Sequence, residues 1–479
     1  MKRKLLLLTG LLLTSLASNA QGIQFNKSTI DANTSSQPYA VASGHLNNDT
    51  YLDLVIGTYN SSKVIWYKNN GDLTYQPGIT LTATGSAALS YIESVTTGDL
   101  NNDGHTDILA TGSYNNRLVW FENNGDDTFE PAVAISSGIT GAGAVKVANL
   151  DNDINNNLDI IVTAYSSNSV VYFLGNGNGT FGTMRTLVQE TAGAGPASFD
   201  IADFDVDGDL DVVVGYTGNG NVKLYDNKIF QDGLDGSGNI PFEPYTNPVD
   251  FGNDYLWTVA FGDINNDGIP NIIKSDSEPT GGNPTLAWFK NNASGITTTF
   301  EKTVVPTSFP HGGAIGVADL NNDGYNELIL GNGYATGADL ICFEGSASSG
   351  LGSEIILDNT SGGMFSMVTK DFNNDGKVDI AAINYLNHGL NLFINDTTLS
   401  NPKFETTDLT MYPNPTSNSL HFKGNIAGDL NVSVYNVLGK RVINNVVKLG
   451  QSLDVSKLNN GVYIIKFNDY NTTYKFVKQ

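Results

Sequence analysis

Asp203 opens a nine-residue stretch, Asp203-Phe204-Asp205-Val206-Asp207-Gly208-Asp209-Leu210-Asp211, with carboxylates at positions 1, 3, 5 and 9 and a glycine at position 6. That spacing suits a hard cation. Alternate side chains point oxygen ligands inward, the glycine takes the sharp turn, position 7 can offer a backbone carbonyl, and the last carboxylate closes the shell. Calcium accepts such irregular all-oxygen shells, and magnesium does so poorly. The candidate ligands here are Asp203, Asp205, Asp207 and Asp211.

The pattern recurs. Asp99, Asn101, Asp103 and Asp107 keep every ligand place, as do Asp371, Asn373, Asp375 and Asp379. Asp319, Asn321 and Asp323 close on Glu327, whereas Asp263, Asn265 and Asp267 close on the neutral Asn271. Two further stretches depart more. His45–Asp53 has histidine at position 1 and Thr50 in place of glycine, and Asn149–Asp159 carries two extra residues. Completeness ranks the loops at Asp99, Asp203 and Asp371 first. The competing reading is a turn held by Asx-type hydrogen bonds without metal. A filled shell leaves no open coordination place, so the role expected of an ion is structural.

The loops start at 45, 99, 149, 203, 263, 319 and 371, a period of 50 to 60 residues that marks a repeat architecture. A short alternating segment precedes each loop, as at Ile92–Thr97. A dense apolar run follows, as in Leu210–Gly215. A third segment carries aromatics, as in Leu118–Gly125, and Asn-Asn-Gly or Gly-Asn-Gly tips then supply hairpin turns. A fourth segment resembles Thr128–Ile135. Four short strands per repeat, seven times, predict an all-β seven-bladed β-propeller, with the apolar second strand buried on both faces. Ile23–Ile30 is expected to close the ring as the outer strand of the last blade, beside Leu390–Ile394; Lys403–Leu409 is the other candidate for that place.

These repeats resemble the FG-GAP or VCBS type of the integrin alpha-subunit propeller and of many secreted bacterial proteins, over about residues 21–400. The resemblance implies fold more than function, since the same scaffold carries adhesive, lectin-like and enzymatic roles.

Residues 1–20 read as a signal peptide: Lys2, Arg3 and Lys4 precede the apolar run Leu5–Leu16, with small residues at Ser18 and Ala20. No later stretch is long and apolar enough to span a bilayer. Residues 401–479 form a linker and a second domain, expected to be a small Ig-like β-sandwich. Its YPNP at Tyr412–Pro415, VYNVLGKRV at Val434–Val442 and LNNGVYIIKF at Leu458–Phe467 resemble the type A sorting domain of the Bacteroidetes type IX secretion system. This implies export by that machinery and a secreted or outer-membrane surface-attached protein, its tail removed or exchanged for an anchor.

Charge separates the same two regions. Residues 21–408 hold 14 basic and 46 acidic residues, and residues 409–479 hold 8 and 3. Such acidity excludes a nucleic-acid partner, whose phosphates need a basic face. Cys342, the single cysteine, sits in an apolar strand and reads as a small buried hydrophobe.

No catalytic residue stands out: the five histidines form no HExxH, and no G-x-S-x-G or phosphate loop is present. A tyrosine does follow the second strand in six repeats: Tyr59, Tyr114, Tyr165, Tyr216, Tyr334 and Tyr385. That turn lies at the rim opposite the acidic loops. Tyrosines there form either a platform for a glycan or protein ligand or packing between blades. The leading expectation is a calcium-stabilised binding module. The alternative is a polysaccharide lyase or hydrolase on the same scaffold.

Overall fold

The computed structural model describes residues 22–479 apart from short segments at 35–36, 246–248, 250–254, 278–285, 292–299, 308–311, 334–338, 347–350, 361, 398–409, 424–429, 437–439, 449–450 and 468–471. The signal segment and the alternative closing strand Lys403–Leu409 lie outside the described residues. The chain divides into two compact units, residues 1–399 and 400–479.

In the first unit the described residues form seven four-stranded antiparallel sheets. The second sheet shows the plan. Ile92–Gly98 pairs with Asp107–Gly112, which pairs with Arg117–Phe121, which pairs with Val133–Ser136. The second strand is buried along its whole length, and the fourth is partly exposed. The first strands of successive sheets pack against one another in order, and that of the seventh, Met364–Lys370, returns to that of the first, Pro38–Gly44. The result is a closed, propeller-like ring.

Closure uses the chain's beginning. Phe25–Asp31 pairs with Gly389–Asn395 and supplies the fourth strand of the seventh sheet. A sheet edge that would otherwise stand open is thereby covered. Val and Ile dominate the second strands, as a two-face-buried strand requires. Cys342 is fully buried in the third strand of the sixth sheet, where burial pushes its thiol well above the usual range.

The sheets are also joined by polar links. Asn123 ends the third strand of the second sheet, and its amide donates to the carbonyls of Thr106 (2.9 Å), in its own sheet, and Leu46 (3.1 Å), in the loop of the first. Asn227 does the same with Leu210 and Leu150, Asn395 with Val378 and Leu320, Asn69 with Leu52 and Phe372, and Asn291 with Pro270 and Phe204. Each amide therefore fastens its own sheet to the acidic loop of the sheet before it. Glycine replaces the asparagine in the third and sixth sheets. A Cβ on Gly175 or Gly345 would lie 2.2 or 2.3 Å from the Leu158 or Asn326 carbonyl oxygen.

In the second unit, Thr410–Tyr412, Ser419–Lys423 and Ser452–Asp454 form one sheet. Arg441–Val447, Leu430–Asn436, Gly461–Phe467 and Thr472–Lys478 form another. Leu420 and Leu453 from the first share a core with Val432, Val434, Ile465, Phe467 and Phe476 from the second.

The asparagine links set an expectation. Asn123→Ala leaves one buried and one partly buried carbonyl without this donor and should cost about 1–3 kcal/mol. Asn124→Ala, which removes only an exposed bond to Thr128, should change stability by less than about 0.5 kcal/mol. Denaturant melts of the two variants compare them directly, and equal losses would contradict the assignment.

Candidate functional site

Each acidic loop joins the first two strands of a sheet, so all lie at one end of the ring. The residue at position 9 begins the second strand and is buried in every case: Asp53, Asp107, Asp159, Asp211, Asn271, Glu327 and Asp379. It works first as a backbone clip. Asp107 Oδ2 accepts the Leu100 N–H (3.0 Å) and Oδ1 accepts the Asn123 N–H (2.8 Å). Asp211 does so with Phe204 and Asn227, and Asp379 with Phe372 and Asn395. Burial nonetheless raises these carboxyls, Asp107 to about 6 and Asp211 and Glu327 to about 8. A nearby cation would favour their ionised form.

Position 1 also turns inward. Asp99, Asp263, Asp319 and Asp371 each accept the N–H groups of positions 5 and 6 of their own loop, as in Asp371 with Asp375 (3.1 Å) and Gly376 (2.8 Å). Asn101 and Asn265 donate from their side chains to Asp103 and Asp267, and Asn373 does the same to Asp375. The position-6 glycines hold φ between +84° and +104°. These loops are thus Asx-type turns, and among the described residues no three of their carboxylates converge within 4.8 Å as those of the fourth loop do.

The loop of the fourth sheet differs, because aspartate replaces asparagine at position 3 and has no proton to share. Oδ1 atoms of Asp203, Asp205 and Asp209 are buried without a hydrogen-bond partner, as is Oδ1 of Asp226 from the third strand. Ligand atoms of Asp203, Asp205 and Asp211 lie within 4.8 Å of one another. Burial and the neighbouring carboxylates push Asp205 up to about 6 and Asp209 to about 7. Orphaned, converging, mutually repelling oxygens are what a divalent cation would satisfy, so this donor set fits one. Asp226 has no counterpart in the loop pattern. Its only signal in the sequence is an acidic residue directly before the link residue Asn227, as Glu122 stands before Asn123.

The far end of the ring carries the tyrosines. A cavity of about 1070 Å³ runs between the first strands and opens among Tyr39, Tyr59, Tyr91, Tyr114 and Tyr165. Tyr59 stacks on Tyr91 at 4.7 Å, and Tyr91 meets Tyr114 edge-on at 5.4 Å. Tyr39 joins Tyr59 (5.3 Å) to Phe365 (5.5 Å), and Phe365 contacts Tyr385 (4.4 Å) and Trp257 (5.0 Å). Tyr59, Tyr114, Tyr165 and Tyr385 are therefore at this face. Tyr216 is not: it is buried, and its hydroxyl bonds that of Tyr225 at 2.8 Å. The apolar surroundings of the fourth sheet draw its ring inward. Tyr334 lies outside the described residues.

A second set of residues joins the turn tyrosines at this face. Six residues before each loop stand Tyr39, Glu93, Gly143, Ala197, Trp257, Gly313 and Phe365, all on first strands. Six of these seven line the cavity. Their common offset was the available signal. The ring they form is lopsided: bulky on the first, fifth and seventh sheets, small on the third and fourth. Glu93 reaches over this gap, its Oε2 lying 3.5 Å from where a Cβ on Gly143 would be. Burial raises its carboxyl above the usual range, against a hydrogen bond from Ser113.

Residues 45–110, 99–154 and 155–214 match the FG-GAP-like repeat, and residues 311–350 match the FG-GAP repeat. Residues 410–479 match the secretion system C-terminal sorting domain. The chain carries FG-GAP repeats and ends in a type IX sorting domain. That tail makes it a secreted or cell-surface protein. No helix among the described residues is long and apolar enough to cross a membrane. No curated protein matches the sequence.

Among the solved structures that resemble the chain are these two. One is BBS1N in complex with ARL6DN, 10% identical, covering 79% of this chain and 98% of that one, with a TM-score of 0.50. This likeness bears on the fold alone. The other is an Agrocybe aegerita lectin described as recognising non-reducing terminal N-acetylglucosamine. It is 20% identical and covers 71% of this chain and 81% of that one, with a TM-score of 0.44.

The FG-GAP loop of the fourth sheet contains a backbone irregularity that can be tested. Position 4 is left-handed and is asparagine in the loops at 99, 149, 263, 319 and 371, but in the fourth loop it is Val206, at φ 62°. A β-branched residue there is strained by about 1–2 kcal/mol. Elsewhere this asparagine donates to the loop of the next sheet, as Asn152 does to the Gly208 carbonyl at 3.3 Å. Val206→Asn should therefore raise stability by about 1 kcal/mol in thermal melts, and an unchanged or lowered melt would contradict the strain.

Proposed function

We propose that the protein is exported by the type IX machinery to act as a glycan-binding module, its propeller stabilised by calcium in the acidic loops and its ligand taken at the tyrosine face. The observation that carries the glycan reading is the cavity mouth. Tyr59, Tyr91 and Tyr114 form a continuous aromatic wall, Tyr165 also lines the cavity, and the Glu93 carboxyl lies beside Gly143. Sugar rings present apolar faces to aromatic side chains and hydroxyls to a carboxyl acceptor. Such an arrangement has shape and polarity for a saccharide.

Among the described residues lining the cavity Glu93 is the sole acidic one, and two carboxylates on opposite sides of the scissile bond are the usual requirement for glycoside hydrolysis. This supports binding over cleavage. A glycan array probed with the tail-less protein is the test. Binding should fall at least tenfold in Tyr91→Ala and in Glu93→Gln, with melting behaviour preserved for Glu93→Gln. No binding to any saccharide, or binding indifferent to both substitutions, would contradict the site. Release of shortened products would favour the lyase or hydrolase.

For calcium, the supporting facts are the seven-fold loop pattern and the orphaned oxygens of the fourth loop. The ion at each filled loop would be held by positions 1, 3, 5 and 9: Asp99, Asn101, Asp103 and Asp107, for instance, or Asp319, Asn321, Asp323 and Glu327. At free calcium well above its dissociation constant each ion adds about 1–3 kcal/mol to the folded state. EDTA should lower the melting temperature, and calcium should restore it better than magnesium. Asp203→Ala and Asp371→Ala should each abolish part of that calcium-dependent rise, while Asn149→Ala leaves it nearly intact. A melt insensitive to EDTA would remove the calcium assignment.

A further inference from the structure

The third strand of the fourth sheet brings a carboxylate to the acidic loop from outside it. Asp226 is 3% exposed, its Oδ1 has no partner, and its Oδ2 is paired with the Lys228 ammonium. Its ligand oxygen lies within 4.8 Å of those of Asp205 and Asp207. The corresponding residue in the second sheet, Glu122, is already engaged by the Asn101 amide at 3.0 Å. In the first and fifth sheets the place is taken by Lys68 and Lys290, in the third and seventh by Leu174 and Ile394, and in the sixth by the exposed Glu344. Among the described residues at this place, Asp226 alone combines deep burial, an oxygen without a partner and a carboxylate close to two others.

We propose a second divalent-cation position at this sheet, formed by Asp205, Asp207 and Asp226, beside the position formed by Asp203, Asp205 and Asp211. Asp205 belongs to both and bridges them. The proposal rests on the calcium reading above and goes beyond it, because the repeat pattern provides for one ion per loop and contains no residue of the third strand.

Three observations support two ions rather than one. The first is geometric: the two triads share only Asp205, and each draws its three oxygens within 4.8 Å. The second is the supply of unsatisfied atoms. Asp209 is fully buried with Oδ1 unpartnered, and the Tyr245 hydroxyl beside the same carboxylates is buried without a partner as well. The third is charge. Six carboxylates, at 203, 205, 207, 209, 211 and 226, meet one ammonium, that of Lys228. A single divalent ion leaves a formal excess of three negative charges in a partly desolvated pocket, and two ions leave one. Lys228 then has a definite part: its ammonium holds Asp226 when the second position is empty and gives way when an ion enters.

Native mass spectrometry of the full mature chain, titrated with calcium alone, counts ions per molecule. Asp226→Asn should hold one ion fewer than the native protein at saturation, Asp203→Asn one fewer, and the double variant two fewer. Lys228→Gln should hold the native number, with the last ion bound several-fold more tightly, since no ammonium competes for Asp226. This variant retains every carboxylate and so reports even where a carboxylate substitution impairs folding. A native count retained by Asp226→Asn, or a double variant losing no more than Asp203→Asn, overturns the second position while leaving calcium in the loops. No bound calcium on the native chain overturns both readings.

Discussion

The acidic loops of this protein depend on a buried polar joint at the start of each second strand. A closing side chain there, Asp107 or Asp211 for example, holds two backbone N–H groups, one from the loop and one from the end of the third strand. The asparagine at that same strand end then reaches back to the loop of the preceding sheet. Backbone groups that would be left bare where sheets meet are thereby satisfied, and an unmet buried donor or acceptor costs more than most single contacts contribute. In the five sheets that carry the asparagine, the joint makes the preceding loop a shared part of two neighbouring sheets.

That arrangement explains why charge can accumulate at the loops without unfolding them. With the backbone pinned from both sides, carboxylates at positions 1, 3 and 5 cannot relax away from one another. Where asparagine alternates with aspartate, as at Asn101 and Asn373, side-chain amides offset the repulsion. Where aspartate fills every place, as from Asp203 to Asp211, it remains, and a cation is the natural way to meet it. At the other end of the ring the constraint is lifted. First-strand residues there vary from glycine to tryptophan without disturbing the sheets, so the cavity mouth is free to take a shape suited to a ligand.

Much of the fold was legible in the sequence because its signals repeat. The spacing of the acidic loops, the apolar second strands and the Asn-Gly tips each recur, and the closing role of Ile23–Ile30 followed from the need to cover an edge; the strand is Phe25–Asp31. The joint was not legible. In Asn123-Asn124-Gly125 both asparagines read as turn residues, yet only Asn123 reaches the neighbouring sheet. Asp226 escaped because it comes from a different strand, and no spacing rule connects it to Asp205. Of the tyrosines, Tyr216 fits the pattern of Tyr59 and Tyr114 but is buried against Tyr225. Position in a repeat specifies the backbone site, and the neighbouring sheet decides where the ring goes. The register of Tyr39, Glu93, Trp257 and Phe365, six places before each loop, was visible but spread over residues too unlike one another to suggest a common place.

The central claim is that pinned backbone joints hold the carboxylates of the fourth loop close together, an arrangement that a divalent cation would satisfy. An anomalous difference map from crystals of the mature protein grown in calcium tests it most directly. The account predicts peaks inside the loops, strongest at Asp203–Asp211, with the Asn123 and Asn227 amides still bonded to the preceding loops. A map with no peak at Asp203–Asp211, in crystals where other bound calcium is visible, would contradict it.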